Sequence, residues 1–276
     1  MAPISLSTQA FLPHVDVEVP SGRKIDFIKE LSNELALKIF SYLEGKHIGQ
    51  CCLVSKHWAL IGQDPIIQRI IVQKMAFGAL KWKQHFDLTV AEPPFPADIH
   101  KIFRNDCPFF PGKKVAETHF LTLIPEGMTL ESLEALTLNP RQENKIGFTS
   151  KGSNTWKQFG QKPTGKTHWA LMTNDVIPGS RSKSWEYQQA LVARYRSQGY
   201  ECLSCLDASV SLLIEYVQTG RRFYTDNPWT YTRCVELENG QYPVVVGSFA
   251  PAGLEVSYYD GGGRVILGVG AVRLFS

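Results

Sequence analysis

Residues 27–71 read FIKELSNELALKIFSYLEGKHIGQCCLVSKHWALIGQDPIIQRII, and the spacing of the apolar residues decides how this part of the chain folds. Ser32 is placed to cap a helix on which Leu35, Ile39, Phe40 and Leu43 recur every three to four residues. Leu37 and Tyr42 fall off that stripe. The helix is expected to end near Glu44-Gly45, a second short one to run over 48–52, and a third to carry Val54, Trp58 and Ile61 until Asp64-Pro65 interrupts it. Three short helices cannot bury all of these side chains among themselves, because a unit this small builds only a marginal core. Some apolar surface is left over for a partner.

Leu31, Glu34, Leu35, Ile39, Phe40, Tyr42 and Leu43, then Leu53, Val54, Ser55, Lys56 and Trp58, then Asp64 and Pro65 stand at spacings that resemble the F-box family. Its usual text is Leu-Pro, Glu-Leu, Ile-Phe and Tyr-Leu, a turn, Leu-Val-Ser/Cys-Lys/Arg-x-Trp, and a closing Asp-Pro before an aromatic. Two positions depart from it: Ser32 replaces the proline after Leu31, and Gln68 stands where the last tryptophan is usual. In the family that proline lies in the surface that meets the adaptor, so its loss bears on affinity more than on fold. The resemblance implies a domain that docks on a Skp-family adaptor and so joins a cullin-RING ubiquitin ligase, with the domain behind it capturing the protein to be ubiquitinated. Leu31, Leu35, Ile39, Phe40, Leu43, Leu53, Val54 and Trp58 would then form the adaptor surface and its immediate support. Physically this is a helical face docked by a few apolar anchors. The competing reading is a helical cap whose stripe packs on its own second domain.

Outward from this stretch, 276 residues at about 150 per domain predict roughly two domains. With 43% hydrophobic, 11% aromatic and 20% charged residues, the composition is that of an ordinary globular protein. Residues 1–25 show no sustained period and are read as a flexible lead-in, and 26–75 as the F-box. Five prolines (Pro93, Pro94, Pro96, Pro108, Pro111) make 76–112 a helical extension and extended connector. Residues 113–276 are read as an α+β domain of unknown function that binds a substrate. The fold class is therefore α+β: a three-helix F-box followed by a mixed domain with antiparallel strands and two amphipathic helices.

In that second domain, strands are expected at 120–124, 169–172, 242–249, 254–259 and, broken at its glycines, 265–275. Tyr259-Asp260-Gly261-Gly262-Gly263 reads as a hairpin turn, making the end of the chain an antiparallel meander. One helix is predicted over 184–198, stopped by Gly199. A second is capped by Ser204, carries Leu206, Val210, Leu213, Ile214 and Val217 on one face, and stops at Gly220. Residues 169–193 (WALMTNDVIPGSRSKSWEYQQALVA), 226–234 (DNPWTYTRC) and 242–257 (YPVVVGSFAPAGLEVS) resemble a family of uncharacterised proteins from obligate intracellular bacteria of amoebae, in which an F-box often precedes this domain. That resemblance implies no activity, but it does imply an effector working in the cytosol of a eukaryotic host.

Several motifs invite chemistry. Residues 160–167 (GQKPTGKT) fit a phosphate-binding loop, yet the residues before them are short and polar, and those after them read as strand or turn rather than helix. Cys202 and Cys205 form a lone Cys-x-x-Cys pair with no second pair at metal-binding distance. Cys234 with His168 is a conceivable thiol-hydrolase couple. Residues 226–229 (DNPW) read as a rigid turn with an aromatic anchor, or as a recognition surface for a substrate protein. The favoured expectation is no enzyme, no cofactor and no metal, with these motifs as the enzymatic alternative.

The charge is spread evenly: 29 basic against 26 acidic groups, without the basic block that a nucleic-acid binder concentrates. Apolar runs such as 243–254 and 265–272 fall short of the ~18 residues of a membrane span. Six cysteines are too sparse for a disulfide scaffold, which favours reduced thiols in a cytosol. A protein partner, rather than nucleic acid or membrane, is expected.

Overall fold

The computed structural model describes residues 28–43, 45–141, 144–259 and 264–276. Its elements begin with helices α1 (Asn33–Tyr42), α2 (Gly45–Cys51), α3 (Lys56–Gly62), α4 (Pro65–Met75), α5 (Ala79–Phe86), α6 (Ile99–Arg104) and α7 (Val115–Thr118). Strand β1 (His119–Ile124), α8 (Leu130–Leu138), β2 (Phe148–Lys151), α9 (Ser153–Phe159) and β3 (His168–Thr173) follow. Then come α10 (Trp185–Ala193), β4 (Tyr200–Cys202), α11 (Cys205–Thr219) and strands β5 (Tyr231–Glu238), β6 (Tyr242–Ala250), β7 (Gly253–Tyr258), β8 (Leu267–Gly268) and β9 (Ala271–Phe275). The α+β class is as expected: helices first, then a mixed domain with two sheets.

The first sheet runs β1-β3-β9-β4 and is antiparallel throughout. The second runs β2-β7-β6-β5-β8, antiparallel at its centre and parallel at both edges. Helix α11 packs against strands of both sheets and against α8. Its caps are those the sequence shows: Ser204 Oγ accepts the Asp207 N–H at 3.0 Å, and Gly220, at φ 70°, closes the helix. Its burial goes further than one amphipathic face. From Cys205 to Ile214 every residue is buried, because sheets lie on more than one side.

Three other expectations are corrected. The first concerns the chain end, which is no meander. Strands β5, β6 and β7 form one, but β8 returns to pair with β5 in parallel and β9 leaves for the other sheet. The hairpin turn assigned to 259–263 falls mostly outside the described residues. Strand β5 itself breaks the alternating pattern because Arg233 and Glu238 on it are buried. Arg233 donates to Gln188 Oε1 at 2.9 Å and to the Lys183 carbonyl at 3.0 Å, while Glu238 accepts from Thr155 Oγ1.

Second, the Pro-rich stretch is not a spacer. Phe77 bridges to β1, with its N–H on the Leu121 carbonyl and its own carbonyl receiving the Leu123 N–H. Trp82 Nε1 donates to the Leu123 carbonyl at 2.8 Å, and Phe95 stacks on Trp169 at 4.4 Å between ring centres. Trp82, Phe95, Ile99, Ile102, Phe103 and Phe109 all join the large core. Proline fixes φ without detaching a chain, and here the prolines space aromatic anchors along a strap.

Third, Asp64-Pro65 opens a fourth N-terminal helix instead of ending the unit. Asp64 Oδ1 accepts the Ile66 N–H at 2.8 Å, and proline takes the first helical position, where a missing N–H costs nothing. That helix, α4, joins both cores: Ile67 lies in the small one formed by the N-terminal helices, and Val72, with the cap residue Ala76 behind it, in the large one. Lys74 Nζ donates to the carbonyls of Ser41 (2.6 Å) and Leu43 (2.9 Å) at the end of α1. Lys81 Nζ on α5 donates to those of Lys74 (2.8 Å) and Met75 (3.3 Å) and to Gln218 Oε1 on α11 (3.0 Å). The orphan carbonyls of both helix ends are thus satisfied by lysines of neighbouring helices.

Candidate functional site

Helix α1 begins at Ser32, whose Oγ accepts the Leu35 N–H at 3.4 Å from an extended backbone (φ −62°, ψ 150°). Ala36 and Phe40 face inward, with half-buried Leu43 continuing their row. They meet Ile28, Ile48, Ile61 and Ile67 in the small core. Leu35, Ile39 and Tyr42 keep the same four-then-three spacing one residue earlier, and they are exposed, Leu35 by 52% and Tyr42 by 75%. One helix thus carries two apolar stripes and buries only one. In water that arrangement marks a surface built for a partner.

The turn between α2 and α3 adds to it. Leu53 is 87% exposed and Val54 follows it in the turn, ahead of α3 and not on it as its spacing predicts. Ser55 then caps α3 by accepting the Trp58 N–H at 3.3 Å. Trp58 is half-buried, edge-on to Phe40 at 5.8 Å and 69°. A side chain at Gly62 would collide with Cys52 Sγ, so glycine is what lets α3 lie this close to α2.

Of the eight residues expected at the adaptor surface, Leu35, Ile39, Leu53 and Val54 are exposed. Leu31, Leu43 and Trp58 are half-buried, and Phe40 is wholly inside as support. Tyr42, set aside in the sequence, belongs to the outer stripe. Its spacing from Leu35 and Ile39 was the available signal. Leu60 and Ile66 are also exposed, and no periodicity marked them.

The catalytic motifs are held in other ways. The loop at 160–167 follows helix α9 and enters an antiparallel strand, whereas phosphate cradling needs a strand before it and a helix after it. Its polar groups clasp the neighbouring turn: the Thr164 N–H donates to the Met128 carbonyl at 2.8 Å, Thr164 Oγ1 to that of Pro125 at 2.6 Å, and Thr167 Oγ1 accepts the Glu126 N–H at 3.1 Å.

His168 pairs with Asp207 instead of Cys234. Its Nε2 lies 3.2 Å from Asp207 Oδ1 and its Nδ1 3.0 Å from the Lys166 carbonyl, so both ring nitrogens are engaged. Burial alone would lower its pKa, but the Asp207 hydrogen bond, the Lys166 carbonyl and the nearby carboxylates outweigh it and raise the pKa. Cys234 is fully buried, and burial together with Glu236 pushes its thiol well up.

Cys202 and Cys205 end β4 and begin α11. Burial, with Glu201, pushes the Cys202 thiol up to about 11, and burial with Glu236 pushes that of Cys205 well up. Neither favours the thiolate that metal or nucleophilic chemistry uses. Lys162, His168, Cys205, Asp207 and Glu236 do share a cavity of about 240 Å³, where Glu236 Oε2 accepts the Cys205 N–H at 2.8 Å and so caps α11 internally. Among the described residues no cluster of three or more His, Cys, Asp or Glu side chains is arranged to hold a metal, and no helix is long and apolar enough to cross a membrane.

No curated protein and no solved structure matches the chain. One family model does, that described as F-box-like, over residues 31–73, which contain the double-striped helix, the Leu53-Val54 turn and nearly all of α4. The match leaves the two-sheet domain unassigned, and residues 31–73 are an F-box-like domain.

Proposed function

We propose that this chain is a substrate receptor, in which the two-sheet domain holds the protein to be ubiquitinated while the N-terminal helices join it to the ligase. An F-box-like domain implies a Skp-family adaptor and, through it, a cullin-RING ligase. The observation that carries the reading is the outer stripe Leu35, Ile39 and Tyr42, left in water beside a core that is already filled. The two-sheet domain is read as binding a protein without converting it. Engagement of both His168 nitrogens, the burial of Cys234 and the clasp formed by the 160–167 loop support that part. Resemblance of the two-sheet domain to proteins of intracellular bacteria supports an effector acting in a host cytosol, where such ligases operate.

Co-purification with a Skp-family adaptor from eukaryotic cytosol tests the docking. Leu35→Asp together with Ile39→Asp is expected to abolish recovery while the protein stays folded. Undiminished recovery of adaptor by that variant would defeat the proposed surface. A tagged chain excluded from adaptor-containing fractions of a host cell would defeat the setting.

A further inference from the structure

The two-sheet domain carries a second surface, shaped for a chain in extended conformation. Residues 88–91 leave α5 as a strap in which Leu88 and Val90 are half-buried against the large core while Thr89 and Ala91 are exposed, the period of a strand. The Leu88 N–H reaches the Trp82 carbonyl at 3.4 Å; beyond it Thr89, Val90 and Ala91 make no hydrogen bond among the described residues. Their N–H and C=O groups are one half of a ladder.

Beside the strap lies a groove of about 630 Å³. Leu88 and Val90 line it from the strap, and Met128, Ala135 and Leu136 from α8 and the turn before it. That is the size and lining of a site for apolar groups. At its rim stands Glu126, exposed, with its N–H tied to Thr167 and its carboxylate unpaired among the described residues.

We propose that this groove takes an extended segment of the captured protein, with an apolar side chain seated against Met128 and Leu136, its backbone paired to residues 89–91, and a Lys or Arg facing Glu126. The bare backbone selects a peptide over an acyl chain, which has nothing to pair with it, and the lone carboxylate selects a basic flank. This rests on the receptor reading and names the substrate class of its second domain.

The test pans a phage library of random dodecapeptides against the full chain and measures selected peptides by fluorescence polarisation. The expected result is an apolar residue with a neighbouring Lys or Arg. Binding should fall roughly tenfold or more in Ala135→Trp, which fills the groove from an exposed helix position, and similarly for the same peptides N-methylated along their backbone. Glu126→Lys should cost roughly fivefold and reverse the charge preference. Unchanged melting and adaptor capture by the variants show that they fold.

No enrichment over Ala135→Trp, or binding indifferent to that variant or to N-methylation, overturns the proposal. So does a groove that takes up a fluorescent fatty acid in place of peptide, or a dimer that only Ala135→Trp dissolves. A chain that selects such peptides without capturing adaptor keeps the groove and loses the receptor reading; one that captures adaptor and selects none loses the groove alone.

Discussion

In the N-terminal helices leucines and isoleucines stand in water, whereas in the two-sheet domain even Arg233, Gln188 and Glu238 are withdrawn from it. Among the described residues the helices bury six side chains in a small core and leave Leu35, Ile39, Tyr42, Leu53 and Val54 in water, a surface suited to another protein. The second domain draws polar side chains inside and bonds them to one another, in pairs such as Arg233 with Gln188 and Tyr224 with Thr173. The contrast separates residues that hold a fold from residues that wait for a partner, even when they lie next to each other, as Ile39 and Phe40 do.

The strongest way to break this contrast is at α1. Leu35→Asp with Ile39→Asp should weaken adaptor binding by roughly a thousandfold, about 4 kcal/mol, in a titration with purified adaptor, with no change in melting. Phe40→Asp, one residue along, should instead unfold the N-terminal helices by burying an unpaired carboxylate.

On the other side, Leu213→Ala in the middle of α11 should cost about 3 kcal/mol in denaturant unfolding, since the helix is enclosed on several sides and cannot collapse into the cavity. Adaptor affinity should be untouched by it at permissive temperature. Loss of both together would merge the two regions into one unit.

Acid should act on the same domain more mildly. Burial pushes His119 down to about 4, against a backbone hydrogen bond to Val115, and its Nε2 has no partner among the described residues. Below about pH 6.5 the unfolded chain takes up a proton that the folded one refuses, so stability is whole above that pH and lost as it falls toward 4, by about 2–3 kcal/mol. His168 runs the other way: its raised pKa contributes stability below the unfolded value that disappears as pH rises through the folded one. Melting curves from pH 4 to 8 should therefore show a maximum, with the acid limb flattened in His119→Gln and the alkaline limb in His168→Gln.

The smallest expected effect sharpens the docking surface. Ser32 sits at φ −62°, already the angle of the family's proline, so Ser32→Pro should fit and tighten adaptor binding a few-fold, about 1 kcal/mol, less the weak cap on Leu35. Isothermal titration of both forms reads this directly.

How much was legible in the sequence follows the same division. The N-terminal helices depend on contacts close in sequence, so Ser32, Ser55 and the Leu35-Ile39 spacing are readable from a few residues at a time. What that text hides is which of two neighbouring stripes faces in, because Phe40 and Ile39 look alike until Trp58 and Ile61 have taken a side. In the second domain the caps Ser204 and Gly220 and strands β1, β3, β6 and β7 are local and legible. The pairing of β8 with β5, the departure of β9, and the strap anchored by Phe95 on Trp169 are set by partners far along the chain, which no window of sequence contains. Strand β5 is hidden in the sequence because its buried charges are bonded by Gln188 and Thr155, invisible from its own residues.

Helix α4 draws these two regions into one frame. Its eleven residues, about 16 Å of helix, reach from one core to the other, with the ends of α1 and of α4 itself held by Lys74 and Lys81. If the chain is the receptor proposed above, a helix that spans both cores would offer the cargo to the ligase at a single bearing. The lysines that receive ubiquitin would then be chosen by their position on the cargo, as points on a map are chosen by compass, and not by the residues around them.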